Sequence, residues 1–357
     1  MSKLKIAVTC KDSSRIWSNG LTQNGYFLIG LLQKCGYEVD AVSQFEEAGK
    51  KLEEFDIKLL DVDSIKKYNV VIEVCYSVTD RLLDIALKAG VKIVTINYGN
   101  ILMLMQEDMI LNPTSFPAVN RGGFDTWISP HFEFSKGFVE VTSKGKVSIC
   151  PYIWDPKIFN KYCNENKLDP FYKNKNNINK IGVFESNINM IKTAIYPLIS
   201  LEKLERENKE LIKEVLIFNG LSLKENAKFK EITSNFDLFN NKKLSVEARY
   251  PMPNMLAKGY VGTILSHQFY CDLNYLVLEG LYTGVPVIHN SEACMDAGYF
   301  YNGFDADTCV DKIKEAILTH DENIASYKKS AEEVLFKFSI DNEENINGYK
   351  NLVENIS

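Results

Sequence analysis

Hydrophobic and polar positions along this chain alternate between two periods. LKIAVTC, near the N-terminus, is the short apolar run of a first strand. The stretch from Gly25 to Gly36 follows with helical spacing and stops at a glycine. YEVDAVS reads as the next strand. YNVVIEVCY is a continuous apolar run rich in β-branched residues, as expected of a parallel strand buried on both faces. DRLLDIALKAG is an amphipathic helix closed by Gly90, and VKIVTINYG is the strand after it. FDTWISP and KVSICPYIW are further strands.

The pattern then breaks. From Asp155 to Lys180 the chain is rich in Asn and Lys and contains Pro156 and Pro170, which predicts a linker. Alternation resumes with NKIGVFES as a strand. A helical stretch follows, and Pro197 is expected to interrupt it. EVLIFNG and YVGTILSH are strands, NYLVLEGLYTG is a helix ending at Gly284, and VPVIHN is a strand. The remainder, from Ala306 to Ser357, reads as at least two helical segments. Strands alternating with helices on both sides of a linker predict an α/β fold of two doubly wound, Rossmann-like domains with a cleft between them. The expected boundaries are 1–155, a linker at 156–180, a second domain at 181–325 and helices at 326–357.

Composition narrows the class. The chain has 357 residues, 45% of them hydrophobic and 25% charged, which excludes a disordered or fibrous protein. With 41 basic and 47 acidic side chains the net charge is −6, so no overall basic field draws in nucleic acid or membrane. No apolar run reaches the ~18 residues of a membrane span, and the N-terminus reads as a strand rather than a signal peptide. The eight cysteines are scattered, without a C-x-x-C pair, and several sit in apolar runs. Buried, reduced thiols in a cytosolic protein are expected.

Four places hold candidate chemistry. In SHQFYCDLNYLVLEGLYTGVPVIHNSEACMDAGYFY, Glu279 sits within the apolar face of a helix, and His289 and Asn290 end the following strand. A partly buried carboxylate there suits the paired hydroxyls of a ribose, whose donors offset its desolvation. In IGVFESNINMIKTAIYPL a strand leads through Asn187 into a helix expected to hold Lys192 about one turn in, a combination that suits a phosphate. Arg249, after a strand, is a second diphosphate candidate. The first loop, KDSSRIWSNGLTQNGY, has polar chemistry at Arg15, Asn19, Gln23 and Asn24 and a turn at Asn19–Gly20. A base to take an acceptor proton is sought at Glu73, an acid in an apolar strand, and at Asp125 and His131 in GGFDTWISPHF. The absence of G-x-G-x-x-G weakens a dinucleotide oxidoreductase. Two Asp-x-Asp runs, Asp61/Asp63 and Asp305/Asp307, lack the apolar strand flanks of a metal site, so no metal or other cofactor is expected.

EGLYTGVPVIHNS resembles the nucleotide-sugar segment of GT-B glycosyltransferases. RIWSNGLTQN, VFESNINMIKTAIYPL, HQFYCDLNYLVLEGLYTGVPVIHNS and the GYFY..FDAD run are similar to a family of bacterial and phage proteins described as of unknown function and glycosyltransferase-like. The resemblance spans both halves and implies the GT-B fold. It implies that Glu279 holds the donor ribose, that Lys192 contacts the donor diphosphate, and that the loop with Asn19 and Gly20 faces donor phosphate or acceptor. It also implies a C-terminal helix crossing back to the first domain. Many retaining members carry an earlier glutamate as well; Cys271 stands at that position here, which leaves the stereochemistry open. The expected activity is transfer of a sugar from a nucleotide-diphosphate donor, UDP-linked by preference, to an acceptor hydroxyl. Two acceptors fit: a hydroxymethylated pyrimidine in phage DNA, which local charge at Arg15 and Arg121–Gly123 would help to hold, or a surface glycan. A nucleotide-sugar-binding protein without chemistry and an epimerase of the same fold are the competing readings.

Overall fold

The computed structural model describes residues 4–17, 20–111, 124–143 and 145–356. Asn19 and the Arg121–Gly123 loop lie outside the described residues, as does the Arg15 side chain. The chain divides into two units, Met1–Asp155 with Phe336–Ser357, and Pro156–Leu335.

The first unit contains β1 (Lys5–Thr9), β2 (Glu38–Ser43), β3 (Lys51–Leu52), β4 (Phe55–Asp56), β5 (Lys58–Leu59), β6 (Val70–Glu73), β7 (Lys92–Asn97), β8 (Asp125–Ile128) and β9 (Val147–Ile149). One sheet runs β5-β2-β1-β6-β7-β8-β9, every pair parallel, while β3 and β4 form a small antiparallel ribbon. Its strands read as apolar runs because both faces are covered: Val70–Glu73 and Asp125–Ile128 are buried throughout. Chain order reverses between β1 and β6, which makes that crevice the switch point. The first helix runs Gly20–Lys34, starting earlier than its apolar spacing suggests. The last helix, Glu343–Glu354, belongs to this unit: Trp154 N–H donates to Phe338 O (2.8 Å), Tyr349 OH to Pro151 O (2.9 Å) and Lys146 Nζ to Asn355 O (3.0 Å).

The second unit contains β10 (Lys180–Val183), β11 (Glu214–Ile217), β12 (Leu244–Val246), β13 (Thr263–Leu265), β14 (Val287–His289) and β15 (Tyr299–Phe300). They form a wholly parallel sheet in the order β12-β11-β10-β13-β14-β15. Here the switch point lies between β10 and β13, the position where open α/β sheets bind ligands.

Three expectations need correction. The stretch 156–180 is part of the second unit rather than a linker. Its helix Lys157–Glu165 buries Ile158, Phe159 and Cys163, and Tyr172 N–H donates to Thr283 O (2.9 Å). Pro197 interrupts nothing. It is the third residue of the helix Ile195–Glu207, within the first turn, where a backbone N–H has no intrahelical partner to lose. The C-terminal region is one helix, Ala306–Lys337, followed by Glu343–Glu354, so no element begins at 326.

The helix Tyr275–Thr283 is seated on β13 and β14 through Gly280. A Cβ there would lie 2.7 Å from Val287 Cγ2 and 3.1 Å from Ile264 Cδ1, both in the core. Gly280→Ala gains ~1 kcal/mol of helix propensity but overpacks the core at a cost of ~1–3 kcal/mol. We expect a net loss of up to ~2 kcal/mol, read as a lower urea midpoint at unchanged slope. A variant as stable as the parent would show that the helix does not bear on the sheet in this way.

Candidate functional site

The carboxyl edge of the second sheet is organised by a buried acid. Glu185 lies two residues beyond β10 and is 1% exposed. One oxygen accepts from Ser266 Oγ (2.7 Å) and the His267 amide (3.2 Å), the other from Gln268 Nε2 (2.5 Å). Burial pushes the Glu185 carboxyl above its ordinary range, while Ser266, the Lys192 charge, Gln268 and the His267 amide pull it back. Acid and donors come from the two strands that part at the switch point.

Lys192 is brought there by a loop and not by a helix. Asn187 takes the left-handed conformation (φ 54°), its N–H donates to Lys192 O (3.0 Å), and its side chain donates to Glu185 O (2.9 Å) and accepts from Ala194 N–H (2.8 Å). The helix therefore starts only at Ile195, three residues after Lys192, which corrects the expected position one turn in. Lys192 lies against the Cys271 thiol, which burial pushes up and the lysine charge draws partly back. Asn187 is thus a staple, and Lys192 is the cation it presents.

His289 and Asn290 fasten the same edge. The His289 ring donates from Nε2 to Ala297 O (2.9 Å) and accepts at Nδ1 from Ser291 N–H (3.2 Å); burial lowers its pKa to about 4, so it is neutral. Asn290 exchanges two hydrogen bonds with the Gln268 backbone, 2.9 and 2.8 Å. These two predicted ligand residues have their polar groups engaged inside the protein. Arg249 is exposed, three residues beyond β12 on this carboxyl edge.

Glu279 differs from every other buried acid in the unit. It sits midway along Tyr275–Thr283, is 7% exposed, and no donor to its carboxylate is found among the described residues. Burial alone raises its pKa to about 8. The helix Lys157–Glu165 packs beside it: Asn160 bonds Tyr282 OH (2.8 Å), and Cys163 feels the Glu279 charge. Asp272, nearby in sequence, is raised to about 6 by burial and then by Glu292.

Sequence reading passed over Glu185, His267 and Gln268 as site residues. Glu185 carries the same signal that drew attention to Glu73, an acid closing an apolar strand. Gln268 follows an apolar strand in the same way, but no spacing marks it as Glu185's partner.

In the first unit the three candidate bases do not gather. Glu73 ends β6 and is buried, with its oxygens accepting from Val78 N–H (2.8 Å) and Thr95 Oγ1 (2.7 Å), so it braces the loop after its strand. Asp125 is the first residue of β8, at the amino edge, beside a cavity of about 340 Å³ also lined by Lys146 and Asn351. His131 follows the opposite end of β8 and packs against Phe132 and Tyr152. Gly20 opens the first helix, and Gln23 Nε2 donates to Ile16 O (3.2 Å), closing its own loop. The Asp-x-Asp runs are turn and cap chemistry: Asp61 accepts from Ser64 N–H (2.8 Å), and Asp305 from Thr308 N–H (3.0 Å) at the head of the long helix. Among the described residues no three acids, histidines or cysteines gather as a metal would require. Nor is any described helix long and apolar enough to cross a membrane. The eight cysteines are free.

The two sheets together define the GT-B fold of glycosyltransferases. Residues 4–353 match the family described as "Protein of unknown function (DUF2827)", and the chain belongs to that family. No curated protein matches the sequence. The chain is similar in structure to an alpha-glucosyltransferase in complex with UDP and a DNA containing a HMU base (14% identity, TM-score 0.59, 99% of this chain and 100% of that one). It is similar to sucrose-phosphate synthase from Thermosynechococcus elongatus (11%, 0.56, 99% and 98%). It is also similar to the DNA-modifying enzyme beta-glucosyltransferase, described with uridine diphosphoglucose (13%, 0.55, 98% and 100%).

The raised Glu279 pKa has a consequence for stability. Between the ordinary value of 4.5 and about 8 the native state holds a proton that the unfolded chain has released. That contribution is therefore full below pH 4.5 and is lost as pH rises towards 8. The buried histidines have lowered values and act only below pH 6.5. From pH 7 to 8, wild type should lose stability relative to Glu279→Gln by up to ~1.4 kcal/mol. Parallel thermal-unfolding curves for the two proteins across this window would contradict the assignment.

Proposed function

We propose that this chain is a glycosyltransferase that binds a nucleoside-diphosphate sugar on its second unit and passes the sugar to an acceptor hydroxyl. The observation that carries the reading is Glu279, a buried carboxylate lacking donors among the described residues. Burial holds this acid neutral, and a ligand that brings two hydroxyl donors, as a ribose does, favours its ionised form. Lys192, at the switch point, supplies the point charge for the diphosphate, and exposed Arg249 on the same edge is a second contact. Their part in the reaction is to stabilise charge on the departing diphosphate. UDP is the preferred nucleotide because UDP or uridine diphosphoglucose appears with the similar glucosyltransferases.

His131 is the base to test first, because it follows the carboxyl end of β8 whereas Asp125 heads it and Glu73 already braces its loop. For the acceptor, the similar DNA-modifying enzymes support a hydroxymethylated pyrimidine in DNA. The net charge of −6 favours a glycan instead. Product analysis with both acceptors separates these readings, and separates either from an epimerase or a protein that only binds.

UDP at one hundred times its dissociation constant should stabilise the protein by ~2.7 kcal/mol. Lys192→Ala should weaken UDP by ~10–100-fold, the worth of a charge-assisted hydrogen bond, and leave uridine unchanged. Glu279→Ala should weaken both. Equal binding of UDP by the folded Glu279→Ala variant, or no response to any nucleoside diphosphate, would remove the reading.

A further inference from the structure

Around Glu185 the carboxyl edge contains polar atoms left without a partner among the described residues: Gln268 Oε1, His267 Nε2, Asn219 Oδ1 and the hydroxyl of Ser186. Gln268 and His267 are each 2% exposed, so these are buried groups and not surface groups turned to solvent. A buried polar atom without a partner is costly, and a cluster of them at a switch point indicates something that completes it.

The chemistry of that something follows from which atoms are already used. The Gln268 amide nitrogen donates to Glu185, a carboxylate gathering three donors and therefore an acceptor, which fixes the amide with its oxygen turned the other way. The Tyr301 hydroxyl donates to Ser266 O (3.2 Å), so it accepts from His267 Nδ1 (2.9 Å), and the free Nε2 of His267 is a lone pair. Asn219 spends its Nδ2 on Phe184 O (3.0 Å) and Glu185 O (3.2 Å), leaving its oxygen. Three acceptors therefore stand on this edge, two of them on side chains that bond Glu185, the acid that feels the Lys192 charge. A phosphate offers no hydrogen to them, whereas a hydroxylated group attached to the phosphate does.

We propose that Gln268 reads the transferred sugar, its Oε1 accepting a hydrogen bond from a sugar hydroxyl while Glu185 holds the amide in the one orientation that permits it. This inference rests on the nucleotide-sugar reading above and adds to it a substrate class: a sugar with a free hydroxyl next to the diphosphate. Glu185 is the positioning residue and Gln268 sets the specificity. Selectivity of this kind is strong because the sugar lacking the hydroxyl leaves a buried acceptor unpaired.

The test is calorimetric, on the full chain, with UDP, UDP-glucose, UDP-galactose and UDP-N-acetylglucosamine. Gln268→Met keeps the length of the side chain and removes the acceptor. The variant also loses one donor to Glu185, but Ser266 and the His267 amide remain, so UDP binding should change far less than UDP-sugar binding. The affinity of the preferred UDP-sugar relative to UDP should fall ~10–100-fold. The matching deoxy-sugar should cost wild type a similar factor and cost Gln268→Met nothing more. An unchanged UDP-sugar to UDP ratio for every sugar would overturn the proposal and leave the buried acceptors to water. An equal loss for UDP and all its sugars would make Gln268 a structural residue, which also overturns it. Failure of wild type to bind UDP would instead remove the nucleotide-sugar reading itself.

Discussion

The Glu185 carboxylate joins β10 to the turn after β13, and the second unit's candidate site depends on that join. A parallel sheet has no hydrogen bonds to offer beyond the ends of its strands, so at a switch point two chains leave in opposite directions and the crevice tends to open. An acid from one strand that accepts from the hydroxyl, the backbone and the amide of the next closes it from within. Burying a carboxylate is expensive, and three donors with a lysine nearby are what make it tolerable. The geometry that satisfies Glu185 also fixes Lys192 and orients Gln268. The acid thus orders the groups that the proposed site would use.

Comparison of the buried acids sharpens this point. Glu73 ends its strand as Glu185 nearly does, yet its oxygens are occupied by Val78 and Thr95, so it holds a loop. Glu279, also buried, has no such donors among the described residues, and burial lifts its pKa to about 8. Burial alone does not distinguish a structural acid from one that awaits a ligand. The number of donors already aimed at it does. By the same measure His289 and Asn290 belong to the scaffold although they sit at a strand end, since each has a partner for its polar groups.

Most of the fold was legible because parallel strands buried on both faces leave continuous apolar runs, and helices closed by glycine leave clear ends, as at Gly284. What misled were features with two physical meanings. Asn- and Lys-rich composition at 156–180 suggested a linker, yet Ile158, Phe159 and Cys163 are enough to seat a short helix whose other face is polar. Pro197 reads as a breaker but is equally at home in a first turn. Lys192 has helical spacing in sequence, but the left-handed Asn187 folds its loop back before the helix can start. Among the residues proposed for the site, Glu279 and Lys192 stand out in the sequence by residue type and position, helped by the family resemblance. Gln268 does not, because its role depends on the Glu185 partnership, which joins residues 83 positions apart.

The distribution of unmet groups follows an electrical logic. Lysine beside a buried acid gives a nearly neutral pair, which neither repels an anion strongly nor holds one without further help. A diphosphate placed there would make the lysine's charge count, while its attached sugar would bring a hydrogen to Gln268 and its ribose would bring donors that let Glu279 ionise. Each group alone would be a poor reason for a ligand to bind: the acceptors disfavour phosphate, and the lysine does nothing for a sugar. Taken together, a cation and unmet hydrogen-bonding groups on one sheet edge suit a ligand that is anionic in one part and hydroxylated in others. A nucleoside-diphosphate sugar has that arrangement, and a free nucleotide or a free sugar has only part of it. The pattern of incomplete hydrogen bonding, more than any single residue, is what supports the nucleotide-sugar reading proposed for this sheet edge.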